Sequence, residues 1–135
     1  MTTHAAGGYQ TRDWDEQAYN EQAGEPKFTR VRAINMYQGD LVGESQIDLL
    51  MAYPNDNFCS FTGLEHITGR LGERKGSFVL QQSGTFQDGA INCEWFVVPG
   101  SGTGELSGLR GSGGYVWNGT EGVPTPYTLD YDFDE

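Results

Sequence analysis

Hydrophobic and polar residues alternate along most of the chain with a period of two, the pattern typical of half-buried β-strands. In the segment after residue 76, Phe78, Leu80 and Phe86 fall on one face, and in the next segment Cys93 and Trp95 do the same. The alternation predicts eight strands, at residues 5–12, 28–38, 41–53, 58–71, 77–86, 90–98, 113–117 and 127–133.

Turn residues separate the predicted strands. Gly39-Asp40, Gln87-Asp88-Gly89 and Asn118-Gly119 are short turn signals, and residues 54–57 (PNDN) form a longer one. Short connections of this kind favour antiparallel neighbours, and closure of the sheet removes its exposed edges. We therefore expect one all-β domain over residues 1–135, a closed antiparallel barrel of about eight strands.

Two segments lack the period of two. Residues 13–27 are polar, so we expect a surface loop there, held by Trp14 and Tyr19. Residues 100–114 are rich in glycine and predict a tight connection over one end of the barrel. Within it, Leu106 and Leu109 lie three residues apart, which favours one short helical turn near residues 104–109.

Composition narrows the classes of partner. The 135 residues include 20 glycines and have a net charge of −11, which argues against nucleic acids and anionic membranes as partners. The N-terminus has no secretory pattern, so we expect a cytoplasmic protein in which Cys59 and Cys93 remain free core thiols. These features do not decide between a monomer and a homo-oligomer.

Motifs for metals, phosphates and activated nucleophiles are not found. The glycines after residue 99 fit neither the dinucleotide-binding nor the P-loop spacing. The two histidines, His4 and His66, are far apart, and no Cys/His cluster has zinc-ligand spacing. We therefore expect no metal and no cofactor.

Glu65 is the most informative polar residue. It shares the parity of Phe61 and Ile67, so the pattern places a carboxylate inside an apolar barrel, which is costly unless the group is paired or protonated. One explanation is an internal ion pair with Arg30 or Arg32. The other is a cavity carboxylate that acts as a general acid or base, or that anchors a polar ligand group.

Aromatic residues on the inward faces first predict a core, but a barrel of eight strands can also hold one small ligand. Four glycines with the same parity, at residues 43, 63, 69 and 84, favour space inside. The residues that we expect to contact a ligand are Tyr53, Phe61, Glu65, Phe78, Gln82, Trp95 and Tyr131.

Several motifs together resemble a family of small bacterial proteins of unknown function, related to allene oxide cyclase-like (calycin-type) β-barrels. The resemblance covers nearly the whole chain and implies a closed antiparallel barrel without implying a reaction. Its motifs are Trp14-Asp15-Glu16, Pro26-Lys27, Gly39-Asp40, Gly43-Glu44, residues 50–53 (LMAY), Gly63-Leu64-Glu65, residues 76–81 (GSFVLQ), residues 83–86 (SGTF), Trp95, residues 97–106 (VVPGSGTGEL) and residues 108–111 (GLRG).

Three functions fit these observations. The first is a barrel that binds a small hydrophobic molecule in an apolar cavity, with Glu65 and tyrosine hydroxyls orienting it. The second is a cofactor-independent cyclase or isomerase in which Glu65 is catalytic and assists proton transfer. The third is a structural or interaction module whose core is filled.

Overall fold

The computed structural model describes residues 2–118 and 123–134 and consists almost entirely of β-strands. The strands are β1 (Thr3–Asn20), β2 (Lys27–Gly39), β3 (Leu41–Asn55), β4 (Phe58–Leu71), β5 (Arg74–Gln87), β6 (Ala90–Val97), β7 (Leu109–Trp117) and β8 (Thr125–Phe133). The one helical element in the described ranges is a 3-10 turn at Gly104–Leu106, far shorter than the roughly 20 residues of a membrane-spanning helix.

Each strand pairs antiparallel with the next along the chain, and β8 pairs with β1 to close the barrel. The closing ladder runs from the Thr3–Tyr131 pair to the Tyr9–Thr125 pair. The prediction of a closed, eight-stranded antiparallel barrel is therefore confirmed. Closure pairs the two outermost strands along this ladder, while residues 10–20 of β1 extend beyond it and pair with β2 alone.

Inward and outward positions follow the predicted parity. The inward side chains form one buried cluster, whereas neighbours such as Leu50 and Leu64 are about half exposed. Cys59 and Cys93 are buried free thiols, as expected. The inward cluster includes Tyr9, Val31, Ala33, Tyr37, Ile47, Leu49, Met51, Phe61, Ile67, Phe78, Leu80, Trp95, Val97, Tyr115, Tyr127 and Leu129.

One end of the barrel is closed by the glycine-rich connection. Leu106, in the 3-10 turn, is fully buried, and Thr103 donates its backbone N–H to the carbonyl of Ser77 at 2.8 Å. Glu105 accepts the backbone N–H of Lys75 at 3.0 Å. The predicted helical turn is confirmed, but the connection is shorter than the predicted 100–114, because β7 already begins at Leu109.

The prediction of a surface loop at residues 13–27 is wrong for its first half, because β1 continues to Asn20. A β-bulge explains the missed strand: the register with β2 shifts by one between Arg12 and Asp15, and Asp13 has a φ of 55°. The extra residue reverses the parity, so the period of two is broken in the sequence although the strand continues. The predicted Asn118-Gly119 turn extends into residues outside the described part.

The prediction that the inward glycines leave space inside the barrel is wrong. Gly43 and Gly69 face each other on β3 and β4. A Cβ on Gly69 would lie 2.1 Å from the backbone oxygen of Val42 and 2.7 Å from the Cα of Gly43. These positions lack a side chain because the neighbouring backbone occupies the volume.

We predict that Gly69→Ala lowers the free energy of unfolding by about 1–3 kcal/mol, since the added methyl group forces the two strands apart. Urea unfolding followed by circular dichroism measures the change. Thr68→Ala, at the exposed neighbouring position, is the control and should change stability by no more than about 0.5 kcal/mol. Equal effects of the two substitutions would contradict the close approach of the strands.

Candidate functional site

The open end of the barrel contains a cavity of about 670 Å³, which we call the mouth cavity. Inward side chains from all eight strands surround it, and most of them are apolar or aromatic. Its lining residues are Tyr9, Gln10, Thr11, Trp14, Asn35, Ile47, Leu49, Met51, Tyr53, Cys59, Phe61, Phe86, Ile91, Tyr115, Trp117, Val123 and Thr125.

A second concavity, of about 790 Å³, lies along the outer wall from β4 to β8. Its surface is formed mainly by outward-facing polar side chains such as Ser60, Ser83, Asn92 and Thr128. This groove lies on the outside of the barrel wall and is more open to solvent than the mouth cavity. The mouth cavity is therefore the better candidate for a small-molecule site.

Below the mouth cavity, the carboxylate of Glu65 is fully buried and accepts hydrogen bonds from four neutral side chains. Tyr37 and Ser45 donate their hydroxyls to Oε2 at 2.5 Å, and Asn35 donates its amide to the same oxygen at 3.1 Å. Gln82 donates to Oε1 at 2.9 Å. Four donors around a group that only accepts is the hydrogen-bonding pattern of an ionised carboxylate.

The expected ion pair between Glu65 and Arg30 or Arg32 does not form. Both arginines are exposed on the outer face of β2, and Arg32 pairs there with Asp48, Nε to Oδ1 at 3.1 Å. The physical reason is parity, since even-numbered residues of β2 point away from the barrel interior. The inward positions Asn35 and Tyr37 on the same strand supply two of the donors instead.

Asn35 connects the buried carboxylate to the cavity. Its Nδ2 contacts Glu65, its Oδ1 accepts the hydroxyl of Thr11 at 2.6 Å, and both Asn35 and Thr11 line the mouth cavity. The hydrogen bond to Glu65 holds the amide in one orientation. Asn35 and Thr11 therefore form a fixed polar patch in a mainly apolar cavity lining.

Burial is the main cause of the raised pKa values of the interior tyrosines. Desolvation, followed by the negative charge of Glu65, raises the pKa of Tyr37 well above its usual value. Desolvation also raises the pKa of Tyr9 and Tyr115. Cys93, beneath these rings, has its pKa raised to about 12 by burial, so it is an unreactive thiol.

A second carboxylate, Glu16, lies at the rim of the mouth cavity and is not among the site residues that the sequence predicts. It accepts hydrogen bonds from the hydroxyl of Tyr53, from Thr29 at 2.7 Å and from the indole of Trp14 at 3.2 Å. Burial raises the pKa of Glu16, but these three hydrogen bonds outweigh it and lower the pKa below its usual value. The Trp14-Asp15-Glu16 motif indicates Glu16 in the sequence, but residues 13–27 are predicted to be a surface loop and Glu16 is assigned no role there.

The predicted ligand residues fall into three groups. Tyr53 and Phe61 line the mouth cavity. Phe78, Gln82 and Trp95 are buried in the packed interior, where Gln82 contacts Glu65 rather than the cavity.

Tyr131 lies at the opposite, closed end of the barrel. Its ring packs edge-on against Phe133, with 6.0 Å between ring centroids. The structure therefore brings together only two of the seven predicted ligand residues, with Glu65 directly beneath them.

Within the part of the chain that the structure describes, no group of three or more His, Cys, Asp or Glu side chains could hold a metal ion. The described residues that line the mouth cavity are all uncharged. Its chemistry is therefore that of an apolar pocket with a few hydrogen-bonding groups.

Comparison with known proteins gives a family without an assigned activity. A family model described as a protein of unknown function, DUF3224, matches residues 5–131. A solved structure from Shewanella oneidensis MR-1, described as a protein with unknown function from the same family, has 28% sequence identity and a TM-score of 0.84. That match covers 100% of this chain and 99% of the other. No curated protein matches the chain.

We predict that Glu65→Gln lowers the free energy of unfolding by roughly 2–3 kcal/mol, because the amide loses charge-assisted hydrogen bonds and directs its own N–H groups at buried donors. Urea unfolding measures the change. Glu94→Gln, an exposed substitution of the same chemistry, should stay within about 0.5 kcal/mol. A loss no larger than that of Glu94→Gln would contradict the hydrogen-bond network.

We also predict that the buried tyrosines resist ionisation. Their raised pKa values stabilise the fold below the usual tyrosine pKa of about 10, and this contribution is lost as the pH rises through the higher folded-state values. At about pH 11, near-ultraviolet absorbance should show fewer tyrosinates in the native protein than in urea-unfolded protein. Identical titration curves would contradict the burial of Tyr9, Tyr37 and Tyr115.

Proposed function

The chain belongs to the DUF3224 family of proteins of unknown function, and we propose that it binds a small hydrophobic molecule in the mouth cavity. One observation carries the proposal. A partly open space of about 670 Å³ lies between mainly apolar and aromatic side chains, in the range of roughly 300–1,000 Å³ that small-molecule sites occupy.

The two ends of the barrel differ, since one is closed and the other is open, and this difference supports ligand binding. The 3-10 turn with Leu106 closes one end, while the hairpins at the other end leave the cavity open. The ligand enters at the open end and its apolar part packs against Leu49, Met51 and Phe61. Asn35 and Thr11 provide the hydrogen bonds that set its orientation.

In this proposal Glu65 is a positioning residue. Its oxygens are occupied by protein donors and none of its surface is exposed, so it does not touch the ligand. Its contribution is to hold the Asn35 amide in place. This support explains why an apolar barrel retains a buried carboxylate.

A cyclase or isomerase would need a proton-transfer group that reaches the substrate. The geometry of Glu65 supports the positioning role instead, and its predicted catalytic role stays a prediction. The predicted relation to allene oxide cyclase-like barrels also stays a prediction, since the comparisons identify the DUF3224 family. Ligand binding is therefore the function that the cavity supports best.

We predict that Leu49→Trp weakens the binding of N-phenyl-1-naphthylamine, an uncharged fluorescent probe, at least about tenfold, because the indole fills the cavity. Probe fluorescence titrations measure the dissociation constant. Leu50→Trp is the matched control, since Leu50 is the next residue of β3 and is 50% exposed on the outer face. Met51→Trp provides a second cavity-filling variant.

Circular dichroism and the thermal midpoint establish that each variant is folded. Loss of probe binding in Leu49→Trp with retention in Leu50→Trp is the expected result. If the unmodified protein does not bind the probe, or if both variants bind it equally, the proposal is overturned.

A further inference from the structure

We propose that the mouth cavity selects uncharged hydrophobic molecules and rejects carboxylates and other organic anions. This inference rests on the proposed function and adds the chemical class of the ligand. It follows from three features: the uncharged lining, the buried carboxylate below it and the arrangement of charges at the rim.

The lining offers an anion no cation. Every described residue that lines the mouth cavity is uncharged, and the polar atoms of these residues belong to threonine, asparagine, glutamine, tyrosine, tryptophan and cysteine side chains. A pocket that takes a fatty acid or another organic anion normally supplies an arginine or lysine, because an ionic head group loses its hydration on entry. An alcohol, ketone or amide loses far less and can use Thr11 and Asn35.

The buried carboxylate makes the cavity unfavourable for a second negative charge. Glu65 is held by neutral donors alone, and none of the ion pairs in the described residues includes it. Its charge is therefore not cancelled by a cation in contact with it. Asn35 contacts Glu65 and also lines the cavity, so the carboxylate lies within one side chain of it, and a low-dielectric interior screens the repulsion weakly.

The rim adds no net positive charge. The ammonium group of Lys27 lies 4.6 Å from the centroid of the Tyr53 ring, and its charge favours the ionised form of Glu16, which accepts the Tyr53 hydroxyl. Arg12, further along β1, pairs with Glu44 on the outer surface. Lys27 and Arg12 are thus each accompanied by a carboxylate, and Arg30 lies on the outer face of β2.

Two probes with the same aromatic skeleton test the inference. N-phenyl-1-naphthylamine is uncharged, and 1-anilinonaphthalene-8-sulfonate is the same molecule with a sulfonate group. We expect the uncharged probe to bind at least about tenfold more tightly to the unmodified protein in fluorescence titrations. Decan-1-ol should likewise displace the bound probe at lower concentration than decanoate.

The outcomes separate the inference from the proposed function. If neither probe binds, the proposed function fails. If both bind in the cavity, so that Leu49→Trp weakens both, and the sulfonate binds as tightly as the uncharged probe, the proposed function holds and the charge selection is overturned.

A cation added to the cavity should reverse the selection. Met51→Lys places an ammonium group on the inner face of β3, and we expect the ratio of the two dissociation constants to shift at least about tenfold in favour of the sulfonate. Leu50→Lys adds the same charge on the outer face and should leave both dissociation constants unchanged. Val123→Lys, at a lining position that is 57% exposed, repeats the test where folding is not at risk.

Circular dichroism and the thermal midpoint show that each lysine variant is folded. Tighter sulfonate binding in Met51→Lys or Val123→Lys, but not in Leu50→Lys, supports the inference. No change in any folded variant, or an equal change in all three, overturns it.

Discussion

The burial of one carboxylate, Glu65, constrains the whole barrel. An isolated charge in an apolar interior is unstable, so the fold must bring hydrogen-bond donors to it from several strands. Its donors come from β2, β3 and β5, on both sides of β4, and they reach it only when these four strands are in register. A shift of one residue would turn the donors outward and leave the charge alone, so the network disfavours every other register.

The same network determines where the cavity floor lies. Asn35 presents its amide to the mouth cavity above Glu65. The Tyr37 ring, whose hydroxyl contacts Glu65, packs against Tyr9 at the cavity and against Tyr127 on β8, with 5.3 Å between ring centroids in each pair. The Tyr127 hydroxyl, which donates to the carbonyl of Gln38 at 2.9 Å, then ties β8 to the turn at the closed end. The floor of the mouth cavity is therefore polar at Asn35, and packed tyrosine rings lie next to the carboxylate that holds it.

Much of this architecture was predictable from local pattern. The alternation of Phe78, Leu80 and Gln82, or of Cys93 and Trp95, reports which side chains face inward, because successive residues of a strand must point to opposite sides. The inward position of Glu65 followed from the same rule. The bulge at Asp13 was not predictable in this way, since one extra residue reverses the parity of Trp14 and Glu16 and makes a strand resemble a polar loop.

The sequence by itself determined the strands, their inward faces, the turns between them and the presence of a carboxylate inside the barrel. Only the tertiary structure decided that this carboxylate is held by neutral donors, that Glu16 joins Tyr53 at the rim and that Phe61 lines a cavity while Trp95 is packed. The physical reason is the range of the interactions. Parity is set by adjacent peptide units, whereas the partner of an inward side chain depends on register and closure between strands far apart in the chain.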